Sequence, residues 1–141
     1  MTFNAPSVLT ALRDFAAGAT GFTITIGMTE GFSRRASGYV DIGAMPVIDR
    51  AAGGLIERSG EFILVLGYRV KGAEEGAVTA IATAIDALQL AYYASDRTFG
   101  GVAESSSAEF LERPDWQDVV GLEYRLYPIV FIVKQRESLG V

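Results

Sequence analysis

The 141-residue chain contains no cysteine and no histidine. The first absence excludes disulfides, thiolate metal sites and a cysteine nucleophile, and says little about redox compartment. The second removes the commonest general base, the commonest metal ligand and the usual partner of a catalytic serine. Lysine is scarce too, two against ten arginines, and with 17 acidic residues the formal net charge is −5. No excess of positive charge is left to hold a phosphate backbone without sequence preference, so tight nucleic-acid binding is not expected and only a local basic patch stays open. No stretch approaches the ~20 apolar residues that span a bilayer, and the opening MTFNAPSVLTALRDF lacks the basic leader and apolar segment of a signal peptide. A soluble protein made in the cytoplasm, without membrane contact, is the expectation.

The familiar chemical signatures are missing as well. There is no G-x-x-x-x-G-K-[ST] phosphate loop, no G-x-G-x-x-G fingerprint and no G-x-S-x-G elbow. A metal site would have to use carboxylates alone; Asp115 and Asp118, three apart beside Trp116, could hold a hard cation or form a solvated turn. Asp49-Arg50 and Asp96-Arg97 could pair acid and guanidinium in a site, but adjacent opposite charges are far more often surface pairs of small energetic weight. Ser105-Ser106-Ser107 is most simply a polar strand or loop. The residues therefore point to no catalytic group, no cofactor and no metal.

What is present is enough apolar material for a core. Half the residues are hydrophobic, and a chain of this length usually folds as one compact domain, here taken as 1–141. Asn4-Ala5-Pro6 reads as a helix start, and Val8, Leu9, Leu12, Phe15 and Ala16 share one face until Gly18. From Phe22 to Met28 apolar and small residues alternate, the mark of a half-buried strand. TEGFSRRASG, residues 29–38, reads as an exposed loop, Tyr39 to Gly43 as a short strand, and 44–54 as an irregular connection around Pro46 and Gly53-Gly54. Leu55 to Arg58, a Ser59-Gly60 turn and Glu61 to Val70 read as a β-hairpin. Ala73 to Ala94 is a long helix with Val78, Ile81, Ile85, Leu88 and Tyr92 as its stripe. A strand from Val102 to Leu111 precedes Pro114. The class is α+β, an antiparallel or mixed β-sheet flanked by one long and one short α-helix.

YRLYPIVFIVKQRE, 124–137, poses the main physical question. Its centre is apolar on both faces and needs cover on each side, yet it contains Pro128, which belongs on an edge, at a strand start or at a bulge. The long helix on one face, with the short helix or a partner chain on the other, would supply that cover.

Arg34 and Arg35 stand on the glycine-flanked loop with Phe32. Two guanidiniums there can make forked contacts with carboxylates of another subunit or with phosphate; a solvated basic loop is the plain alternative. Tyr92-Tyr93 and Trp116 suit an interface or the core equally.

The order of elements, SGEFILVLGYRVKG running into an alanine-rich helix, and the terminal EYRLYPIVFIVKQRE strand resemble the tail terminator proteins of bacteriophages with long non-contractile tails. The resemblance runs from about Ser7 to Arg136 and rests on fold pattern; 41–54 matches nothing in it. It implies a structural virion protein of the tail and neck, made in the host cytoplasm and assembling as a hexameric ring. Such a ring caps the tail tube protein, ends polymerisation and offers a surface to the head-tail connector protein, while DNA traverses its channel without specific binding. Phe32, Arg34, Arg35, Tyr68 and Arg69 are the interface candidates, chosen for chemistry and for loop or strand position. Rival readings are another neck component, such as a head-completion or connector protein, and a small α+β enzyme or ligand-binding domain using Asp and Arg.

Overall fold

The computed structural model describes residues 5–27, 35–69, 74–110, 117–119 and 122–138. In chain order these form α1 (Ala5–Thr20), β1 (Thr23–Ile26), β2 (Ala36–Ala52), β3 (Leu55–Arg69), α2 (Glu74–Ala94), β4 (Ser105–Glu109), β5 (Gln117–Val119) and β6 (Leu122–Ser138). In α1 the spacing of Val8, Leu12 and Ala16 places all three in the core. The helix stops at Gly21, whose φ of 74° costs glycine nothing, with its N–H donating to the Ala17 carbonyl at 2.9 Å. Thr20 Oγ1 donates to the Ala16 carbonyl and accepts from the Phe22 N–H, tying the helix end to the strand that follows.

The strands build one mixed sheet in the order β1-β2-β3-β6-β4, with β5 also on β6. β1 runs parallel to β2 and all other pairs are antiparallel. This is the expected α+β class, with one long and one shorter helix. Both helices pack on the same face, and there the core lies: Ile24, Val40, Phe62, Leu64, Ile129 and Phe131 from the strands meet Leu12, Ile81, Leu88 and Tyr92 from the helices. The expectation that the short helix or a partner would take the opposite face is corrected in its first half. α1 touches β1, β2 and α2 on the same side that α2 uses to touch β3 and β6. An aromatic group, Phe15, Tyr92, Phe99 and Phe131, joins both helices to β6 through edge-on and tilted ring contacts 5.5 to 6.4 Å apart.

Two hairpin expectations are overturned together. Residues 44–54 are strand as far as Ala52, and the turn is Gly53-Gly54, with φ of 62° and 80°, closing the Ala52–Leu55 pair as a two-residue loop. Ser59-Gly60 is no turn; β3 runs through it without interruption against β6. Glycine is required at 60 because Pro46 leans on it: a Cβ there would lie 2.8 Å from Pro46 Cγ. The apolar pattern of 44–48 is hidden from a periodicity reading by register shifts between Ile42 and Ala44, Ala44 and Val47, and Ile48 and Arg50.

Smaller differences follow. β2 begins at Ala36, inside the expected loop, and outlasts the short strand expected at Tyr39–Gly43; β1 ends at Ile26, and Met28 lies outside the described residues. Ile26 is exposed despite the alternation. In α2 the buried stripe is Ala77, Ile81, Ala84, Leu88 and Tyr92, so Val78 faces outward and Ile85 only flanks the core. Residues 102–104 precede β4 as turn and bend, and Leu111, Pro114, Asp115 and Trp116 lie outside the described residues. Pro128 is no bulge: β6 pairs with β3 in unbroken register through Val65–Pro128. On the other edge of β6, described pairing to β4 ends at Val130 and pairing to β5 resumes at Leu126. The missing N–H thus falls where β6 has a described neighbour on one side only.

Candidate functional site

Alternation along the strands decides what the sheet shows on the side away from the helices. Tyr39 opposes Val65, Ile63 opposes Val130, and Val65 opposes Pro128, so an apolar stripe crosses β2, β3 and β6 there. Val65 and Leu126 are buried at its centre with Tyr39 and Ile63 packed beside them. Asp41, Glu61 and Glu109 lie on the same face around the stripe by register. Burial lifts the Tyr39 hydroxyl above its ordinary pKa, and the Asp41 carboxylate adds to that.

Beyond Ile42 on β2 and Gly60 on β3 the hydrophobic core ends, and β2, β3 and the end of β6 continue as an arm. Met45, Val47 and Ile48 are 63%, 58% and 58% exposed on it. At its base Arg136 bonds Glu57 at 2.7 Å and Glu104 at 3.2 Å, which holds its guanidinium pKa above the ordinary value. A polar cleft of about 330 Å³ opens beside this cluster, lined also by Arg58, Ser105 and Lys134. The cluster is solvent-exposed, and its ion pairs contribute registration of β6 on β3 more than stability.

The outward side of α2 is a second exposed apolar surface. From Glu75 to Ala94 the mean hydropathy is 1.2, yet 28% of that window is buried, so much of its apolar character faces out. Leu90 and Tyr93 are 74% and 57% exposed on a face of α2 that they share with Asp86, Gln89 and Ala94. The Tyr92-Tyr93 pair therefore divides: Tyr92 is core, its hydroxyl donating to Ser106 Oγ at 2.7 Å while Ser106 donates to the Arg97 carbonyl. Tyr93 is surface, with the Arg97 guanidinium 6.0 Å above its ring.

Of the interface residues expected from sequence, Phe32 and Arg34 lie outside the described residues. Arg35 and Arg69 are brought together at the start of β2 and the end of β3, where the Arg69 N–H donates to the Arg35 carbonyl at 2.9 Å, and both are exposed. Tyr68 is half-buried on the helix side, its ring 6.5 Å from that of Phe22, and so does not stand out with the two arginines. Met45, Val47, Ile48 and Leu90 were missed. The unbroken IGAMPVI run was the available signal for the arm. Asp96, read as one half of a possible site pair, instead accepts from the Thr98 hydroxyl and N–H, bonds that hold its carboxyl below the ordinary range. Among the described residues no three acidic side chains converge as a metal site. In comparisons with known proteins, the chain matches no family model and no curated protein.

Proposed function

We propose that the chain is a structural subunit of a ring that caps the tail tube of a long-tailed, non-contractile bacteriophage, ends its polymerisation and offers the head-tail joining surface. The observation that carries the reading is the apolar surface left uncovered by a sheet with both helices on one side. On the side away from the helices Val65 and Leu126 form a small buried cluster, while the arm residues Met45, Val47 and Ile48 stay exposed and outside the core. Copies repeated around a rotation axis would cover such surface with one heterologous contact used once per subunit. The ring would be hexameric, with the tail tube protein on one side and the connector protein on the other. Its site is the neck of the virion, it turns over no substrate, and its net charge of −5 suits a channel that DNA crosses without sticking. Fold pattern supports the same assignment through the run from Phe62 to Gly72 into α2 and the terminal strand. Electron microscopy of tails grown without this protein tests it. Abnormally long tubes are expected; tails of normal length would overturn the proposal.

A further inference from the structure

Along the C-terminal half of α2 the exposed side is a row of Asp86, Leu90 and Tyr93, and the chain that leaves the helix adds Arg97 to its end. The intervals are four, three and four residues. The first two follow the helical period, so Asp86, Leu90 and Tyr93 stand together on the side opposite the buried stripe. Arg97 lies past the helix end, at a φ of 62° that is uncommon for a residue with a side chain. Two bonds hold it there: its N–H donates to Ser95 Oγ, and its carbonyl accepts from Ser106 Oγ at 2.6 Å. That turn sets the guanidinium 6.0 Å over the Tyr93 ring, so the row ends in a cation. Tyr93 is braced in turn by the rings of Tyr92 at 5.2 Å and Phe110 at 6.4 Å.

The row runs acid, apolar, aromatic, cation, and its spacing is the same from either end. A second copy laid antiparallel across it, with a twofold axis between Leu90 and Tyr93, meets its own complement. Asp86 faces the partner's Arg97 and Leu90 faces the partner's Tyr93, each contact made twice. A parallel pairing would set acid on acid and cation on cation. The antiparallel one also opposes the two helix dipoles. Glu74 and Glu75, the other charges of α2, are about 25 Å along the helix from that axis. Asp96, beside Arg97, already accepts from the Thr98 hydroxyl and N–H.

We infer that the outward face of α2 pairs two copies of this chain through an isologous antiparallel contact, Leu90 and Tyr93 packed against their counterparts between two Asp86–Arg97 ion pairs. Charge complementarity selects a second copy as the occupant, because this order of charges and apolar groups is its own complement when reversed. The inference goes beyond the ring reading and does not rest on it. A twofold contact closes on two copies, so a ring has to be built through other surfaces. One helix row is a small patch, in the class below about 1,200 Å² in total, and its ion pairs are exposed, so the pairing is weak and salt-sensitive.

Charge exchange tests the geometry. Asp86→Arg leaves a row with a cation at both ends and Arg97→Asp a row with an acid at both ends. Both positions are exposed, and aspartate adopts the left-handed φ of residue 97 more readily than most residues, so the circular dichroism spectra should match the wild type. Sedimentation at low salt, over micromolar to millimolar protein, reads the outcome. Where the wild-type chain is paired, either variant alone should sediment at half the wild-type mass, its affinity lower on the order of tenfold. An equimolar mixture of the two should restore the doubled mass, because the mixed pair again sets acid on cation at both ends. The same factor of two applies whether the pairing unit is one subunit or a ring. A mixture that associates no better than its components would overturn the contact, and so would a wild-type mass equal to that of both variants at every concentration. A mixed species that grows beyond the doubled mass would make the contact head-to-tail and overturn the twofold axis. None of these results bears on the ring reading, which stands or falls on tail length.

Discussion

Substituting Gly60 by alanine tests the corrected hairpin directly. Gly60 lies in the middle of β3 opposite Val133, outside the left-handed region, so alanine meets no backbone strain of its own there. The obstacle is Pro46: the added methyl would stand 2.8 Å from its Cγ, 3.0 Å from its Cα and 3.1 Å from its Cβ. A proline ring cannot rotate away, so β2 has to shift as a unit against β3. Overpacking of this kind costs about 1–3 kcal/mol, and the rigidity of the ring argues for the upper half of that range. For a chain of this length, about 2–3 kcal/mol lowers Tm by roughly 5–10 °C. Urea unfolding of four proteins at one fixed concentration isolates the cause: wild type, Gly60→Ala, Pro46→Gly and the double variant. Pro46→Gly removes the Cβ and Cγ atoms and leaves only the backbone of residue 46 close to the new methyl, so Gly60→Ala should cost about 1 kcal/mol in that background, a coupling of about 1–2 kcal/mol. Additivity within about 0.5 kcal/mol would refute the contact and restore Ser59-Gly60 as a turn, since a turn there gives Pro46 no part in the cost.

Ile81→Asp places a carboxylate in a site that is 1% exposed and should cost about 4 kcal/mol or more, read as loss of the cooperative transition; an unchanged Tm would show that the α2 stripe is wrong. Tyr92→Phe removes the hydroxyl that donates to Ser106 and should cost about 1 kcal/mol at neutral pH in urea unfolding. Burial raises the Tyr92 pKa above 10.0 against the opposing Ser106 bond and Arg97 charge, so its contribution is intact below pH 10 and is lost as pH rises through the raised value; Tyr92→Phe should flatten that alkaline loss, and an identical slope in both proteins would rule out Tyr92 as its source. Arg34→Glu with Arg35→Glu should leave the circular dichroism spectrum unchanged and block docking to tails; particles with normal tail length from the double variant would contradict a role for that pair.

Helix existence and the two apolar strands were legible because their signals are local. Val8, Leu12 and Ala16 repeat at the period of a helix, and Phe62 to Leu66 is an apolar run of strand length bounded by glycines at 60 and 67. What failed was local chemistry overridden by tertiary contact. Ser59-Gly60 carries a turn signature, but its glycine serves the close approach of Pro46 across the sheet. Pro46 and Gly43 look like breakers, but on a bulged edge strand they interrupt pairing without ending it. Val78 entered the predicted stripe for its apolarity, whereas the buried positions there are Ala77 and Ala84, which an apolarity reading passes over because alanine is small. Arg35 and Arg69 were each named as candidates from sequence, but only strand pairing makes those two neighbours.

The opposed treatment of backbone and side chains along β2 is the strongest physical reason to read this fold as a building block. Proteins that avoid association blunt an open edge and also make it polar, with charges and short strands. Here the backbone is blunted by Pro46 and by three register shifts, while Met45, Val47 and Ile48 stay large, apolar and exposed. Blunting alone stops indiscriminate strand addition. Side chains left in water without a function would be a solubility burden, and exchanging them for charges would cost the core nothing, since none belongs to it. A surface that forbids the promiscuous mode of association and preserves the shape-dependent one fits a specific neighbour. The same reasoning applies to α2, where after the opening Glu74-Glu75 only Asp86 is charged and Val78, Leu90 and Tyr93 stay exposed, on a face where lysines or glutamates would fold equally well.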